Sequence, residues 1–143
     1  MPPLARRFLR TAWAFLAAGV LLGLWMLAAR EYALPAPVRL RSAHSHLVLV
    51  GFVILTIGGV ALWMFPRPAK GDTRYRPLLA EWAYWLAGGG TALRALLELT
   101  LPVPAGFLGR LLLLLSGIVQ AAGVLLVFWA LLPRIRSISA QPR

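Results

Sequence analysis

Ser42-Ala-His44-Ser-His46-Leu-Val-Leu-Val-Gly51-Phe-Val-Ile-Leu-Thr-Ile-Gly58-Gly59-Val-Ala-Leu-Trp63-Met-Phe65 runs without one carboxylate, lysine or arginine. It is longer than the roughly 20 apolar residues that carry a helix across bilayer hydrocarbon. Backbone polar groups in lipid have no water to bond, so a segment of this kind satisfies them internally, as a helix. Arg41 stands before it and Pro66-Arg67-Pro68 after it; proline resists helix continuation. Outward on either side the pattern repeats. Further apolar stretches cover about Phe8–Ala29, Leu78–Leu99 and Phe107–Leu132.

Of the 143 residues, 60% are hydrophobic, above the share of a soluble domain. Four spans leave little chain for anything else. The expected fold is all-α, a four-helix transmembrane bundle forming one integral membrane domain over residues 1–143. The first span opens on arginines, like a secretory signal, but its apolar run exceeds a usual signal core and reads as a true span.

The formal net charge is +11. In a soluble chain that would suggest nucleic acid; here the cations flank apolar spans, and the bilayer accounts for them. Arg6, Arg7, Arg10, Arg67, Lys70, Arg74, Arg76, Arg134, Arg136 and Arg143 fall at one end, and Arg30, Arg39, Arg41 and Arg110 at the other. Positive residues favour the cytoplasmic side. Both termini are therefore expected in the cytoplasm, with the histidines near the outer face, which is periplasmic in a bacterium.

Gly19 and Gly23 form a small-xxx-small pair for close helix approach. The third span carries Glu81, a Gly88-Gly89-Gly90 run, Arg94 and Glu98. Arg94 and Glu98, four apart, share a helix face. In the fourth, Gln120 is placed to hydrogen-bond across helices. Trp63, Trp82, Tyr84 and Trp85 read as an inner aromatic belt, with Trp25 and Tyr32 at the outer edge.

His44 and His46 are the only histidines, and there is no cysteine. Ionisable groups inside a membrane are costly and point to function, and imidazole is a common metal and heme-iron ligand. Two residues apart on a helix means about 200° apart, so the two rings face different neighbours. Stepping by sevens from His44 leads to Gly51 and Gly58, with Arg41 and Arg39 toward water. That is an imidazole for iron, bare backbone for a porphyrin and guanidinium for its propionates. The same step from His46 meets Val53 and Val60, a packing face. Two imidazoles in an extended stretch would alternatively take copper, with ligands added from elsewhere. Met26, at the depth of His44, is a candidate second axial ligand. The plainer reading is an interfacial hydrogen-bonding histidine above glycines that serve helix packing.

Arg41-x-x-His44 opening a span, then Leu-Val-Leu-Val-Gly-Phe, a glycine pair and Trp-Met-Phe-Pro-Arg67, resembles the second helix of heme-copper oxidase catalytic subunits, including the nitric oxide reductase branch. The resemblance covers about residues 39–67. It implies that His44 ligates a heme b near the outer face of a bacterial inner membrane, for electron transfer or for binding nitric oxide, carbon monoxide or oxygen. The family's other heme and copper ligands lie in later helices that have no counterpart here, so oxidase or reductase turnover is not expected. One imidazole per chain implies a further ligand, for instance from a second copy. The alternative expectation is a cofactor-free accessory or assembly subunit of a respiratory complex, and the lowest-ranked one a copper site at the outer face using His44 and His46.

Overall fold

The computed structural model describes residues 1–66 and 77–135 and is helical throughout, with no strand among the described residues. α1 spans Pro3–Glu31. The second span is a continuous rod in three parts: α2 over Leu40–Ser45, a π-helix over His46–Ile54, and α3 over Leu55–Met64. α4 covers Pro77–Thr100. α5 covers Phe107–Leu131 and tightens into a 3₁₀ turn at Leu132–Arg134. Three of these rods, Pro3–Glu31, Leu40–Met64 and Phe107–Arg134, are long and apolar enough to cross a membrane. α4 has the length, at 24 residues, but its ionisable residues set it apart in composition.

Contacts between helix ends fix the layout. Arg7 Nη1 reaches Glu81 Oε1 at 2.6 Å, Thr11 and Tyr84 hydroxyls bond at 2.9 Å, and Arg134 Nη1 donates to the Leu62 carbonyl at 3.0 Å. These tie the start of α1, the end of α3, the start of α4 and the end of α5 into one end of the bundle. At the other end Ser42 meets Glu98, and Arg39 Nη1 donates to the Leu101 and Pro102 carbonyls at 3.3 and 3.2 Å. Arg39 and Arg134 thus serve as caps: the last carbonyls of a helix lack intrahelical partners and carry its negative pole. Apart from Arg94 within α4, the cations among the described residues divide four and four: Arg6, Arg7, Arg10 and Arg134 against Arg30, Arg39, Arg41 and Arg110. The other six of the expected cytoplasmic ten lie outside the described residues.

Glycine decides the helix spacing. α4 and α5 approach reciprocally: a Cβ on Gly90 would fall 2.8 Å from the Gln120 backbone nitrogen, and one on Gly123 would run into the backbone of Ala87. The Gln120 amide donates to Thr91 Oγ1 at 3.0 Å, and that hydroxyl donates to the Ala87 carbonyl. The expected cross-helix bond of Gln120 is therefore present. On α1, Gly19 receives Val48 and Gly23 faces the ring of His44, so the small-xxx-small pair seats the second span. Phe8, Leu55, Ala83 and Ala87 are fully buried at the centre of the main core.

The aromatic belt needs one correction. Trp63, Trp82 and Trp85 are exposed, whereas Tyr84 turns inward, its ring 5.2 Å from Phe8 and its hydroxyl on Thr11. The physical reason is its polar handle, which finds a partner between α1 and α4.

Candidate functional site: the histidine–carboxylate cluster

α2 lies between α1 and α4, and its residues alternate between those neighbours. Ala43 is fully buried. His44 turns to α1, where its Nδ1 lies 2.9 Å from the Gly19 carbonyl oxygen. A carbonyl only accepts, so Nδ1 carries the proton and donates, and in the neutral ring Nε2 holds the lone pair. Ligating histidines are held in this way, with one ring nitrogen on a carbonyl and the other presented to the metal. Nε2 has no protein partner among the described residues.

His46 turns the other way. Its Nε2 is 3.7 Å from Glu98 Oε1. The same oxygen accepts from Arg94 Nε at 2.7 Å and from Ser42 Oγ at 2.8 Å. Glu98 is 2% exposed, a carboxylate taken out of solvent in company with a guanidinium and a hydroxyl. Arg94 makes a second tie, donating from Nη1 to the Leu113 carbonyl at 2.7 Å; Gly117 leaves the room, since a Cβ there would sit 2.9 Å from that nitrogen. The expected Arg94–Glu98 pair is thus present. It is also the point where α2, α4 and α5 are joined. Oε2 of Glu98 is buried without a hydrogen-bond partner among the described residues.

The opposed directions of the two imidazoles match the helical angle read from the sequence. Their ring nitrogens have different partners, the Gly19 carbonyl for His44 and Glu98 for His46. Among the described residues no group of three His, Cys, Asp or Glu side chains converges as a metal cluster.

A heme b can be tested against the residues expected to hold it. The donor fits: His44 has the required tautomer and an open Nε2. The floor does not fit. A Cβ on Gly51 would lie 2.7 Å from Phe15 Cγ, and one on Gly58 would lie 2.9 Å from Val127 Cγ1 and 3.3 Å from Phe8 Cε1. The space over these glycines is filled by phenyl rings of α1 and a valine of α5. A porphyrin does not lie there while α1 is in place. Of the two arginines expected at the propionates, Arg39 is engaged with the end of α4; Arg41 is exposed and its guanidinium has no partner among the described residues. An apolar groove of about 500 Å³ opens at the far end of the same rod, lined by Thr56, Ile57, Val60, Ala61, Met64 and Phe65. It is remote from both histidines.

Two features escaped sequence reasoning. One is the long π-helix that begins at His46; such wide turns often occur at functional sites, and nothing in the apolar run announces it. The other is the link from Ser42 and His46 to Glu98. Its one visible signal was the Arg94-x-x-x-Glu98 spacing inside an apolar segment. Against known proteins, no family model, no curated protein and no solved structure matches this chain.

Proposed function

We propose that the chain is a four-span protein of the bacterial inner membrane, with both termini cytoplasmic, whose chemistry sits at the outer end of its second span. There His44 offers a single imidazole ligand to a heme b iron, in a protein that transfers electrons or binds a diatomic gas. The observation that carries this reading is the His44 Nδ1–Gly19 hydrogen bond, which presents Nε2 as a ligand. The resemblance of residues 39–67 to the heme-copper oxidase second helix supports it. Because Phe15 and Phe8 fill the space over Gly51 and Gly58, a heme held by His44 would take its walls and any further ligand from a second copy or another subunit. Arg41 is the guanidinium available to a propionate.

The test is the visible spectrum of the detergent-purified protein after heme is supplied, oxidised, dithionite-reduced, and with carbon monoxide or nitric oxide. The expected result is a Soret band that His44→Ala abolishes and His46→Ala keeps, since His46 faces Glu98. Sharp reduced bands unmoved by gas mean electron transfer; bands shifted by gas mean an open iron. A wild-type protein without a Soret band overturns the reading.

One observation favours a second reading. Phe15 and Phe8 already occupy the glycine floor, as they would in a cofactor-free accessory subunit of a respiratory complex. Co-purification with an oxidase or reductase in mild detergent, without a Soret band of its own, is the outcome that selects it. The copper reading ranks last, because His44 and His46 point to different helices and each would need its other ligands from outside the chain.

A further inference from the structure

α1 turns one face away from the bundle, and that face changes character along its length. Arg6 and Arg10 are exposed, one helical turn apart, and neither guanidinium has a hydrogen-bond or ion-pair partner among the described residues. Trp13 follows at 68% exposure, then exposed Ala14 and Ala17, then exposed Leu21 and Leu24. At about 100° per residue, positions 6, 10, 13, 17, 21 and 24 fall within a third of the helix circumference. Arg7, between the two free arginines in sequence, is directed to α4 and held by Glu81.

The order of groups matches one amphiphile by depth. Two guanidinium groups a turn apart are suited to forked hydrogen bonds with a phosphate. An indole prefers the level just below the headgroups; a rise of 1.5 Å per residue puts Trp13 roughly 10 Å beneath Arg6. Two alanines between Trp13 and Leu21 leave a shallow track at hydrocarbon depth. We infer that this face of α1 binds one anionic phospholipid, its phosphate between Arg6 and Arg10 and one acyl chain along Ala14 and Ala17. The apolar track continuing from the cation pair is what selects a lipid over an acidic protein segment. The inference is independent of the heme reading.

Native mass spectrometry of the full chain, titrated with phosphatidylglycerol and with phosphatidylcholine of the same acyl chains, tests it. The expected result is one phosphatidylglycerol retained under activation that strips phosphatidylcholine. R6Q/R10Q should lower apparent affinity for phosphatidylglycerol roughly tenfold or more, the effect of removing two interfacial cations. R30Q, at the opposite end, should leave it unchanged. Trp13→Ala should weaken binding of the anionic lipid while its preference over phosphatidylcholine persists. Equal retention of both lipids, or parental binding by R6Q/R10Q, overturns the inference. So does an acidic protein partner lost in R6Q/R10Q while phosphatidylglycerol binding stays intact.

Discussion

Glu98 Oε1 accepts from Ser42 and Arg94 and lies near His46, and so joins the second span to α4 on one atom, while Arg94 carries the link on to α5. A carboxylate 2% exposed is tolerable only because a guanidinium and a hydroxyl replace the water it lost. Glu98→Leu removes that compensation and leaves Arg94 half-buried without its anion. Breaking one partner of a buried pair costs about 3 kcal/mol or more, so thermal unfolding in detergent should occur well below the parent. Glu98→Gln keeps an acceptor for Ser42 and should cost less. The double variant Glu98→Leu/Arg94→Leu should recover much of the loss, because two apolar residues need no pairing. A single Glu98→Leu variant as stable as the parent would show that the pair does not hold the helices together. At this scale the sequence was half legible. Arg94 and Glu98 share a helix face by spacing alone, but Ser42 is 56 residues away from Glu98, a distance no local pattern spans.

Among the helices, glycine separates close approach from open surface. Gly51 lies under Phe15, and Gly123 lies against the Ala87 backbone. Gly51→Ala and Gly123→Ala should each destabilise by about 1–3 kcal/mol through overpacking, Gly123→Ala the more because backbone yields less readily than a phenyl ring. Gly89 has nothing within 4 Å of its added Cβ. Gly89→Ala should therefore gain up to about 1 kcal/mol from helix propensity. Equal effects at all three positions, measured by the same unfolding assay, would contradict this assignment of faces. The contrast also explains why a seven-residue glycine spacing misleads. Gly51 and Gly58 both receive side chains of α1, as His44 packs on Gly23 of α1, and Gly58 also receives Val127 of α5. The aromatic rings there are Phe15 and Phe8 of the same chain. A bare helix face attracts whatever planar group is nearest, and sequence spacing cannot say whether that group belongs to a cofactor or to a neighbouring helix.

For the molecule as a whole, orientation is directly testable because the chain has no cysteine, which makes any introduced thiol unique. Val38, 80% exposed, lies just before α2, and Ile135, 66% exposed, just beyond the last turn after α5. Val38→Cys should react with a membrane-impermeant maleimide in intact cells, and Ile135→Cys only after lysis. The reverse pattern would invert the proposed topology and move the histidines to the cytoplasmic side. Hydropathy and breakers alone predicted a helical chain with four spans; over the described residues the chain is helical, and three of its rods are long and apolar enough for a bilayer. The reason is that burial in lipid constrains every backbone group locally. The angle between His44 and His46 followed equally from helix geometry. Only the tertiary structure decided what each ring meets: the Gly19 carbonyl for one and the Glu98 carboxylate for the other. It also decided that phenyl groups fill the glycine floor and that Arg39 caps α4. Those are contacts between segments far apart in the chain, set by which helix packs beside which, and no periodicity within one segment encodes its neighbour.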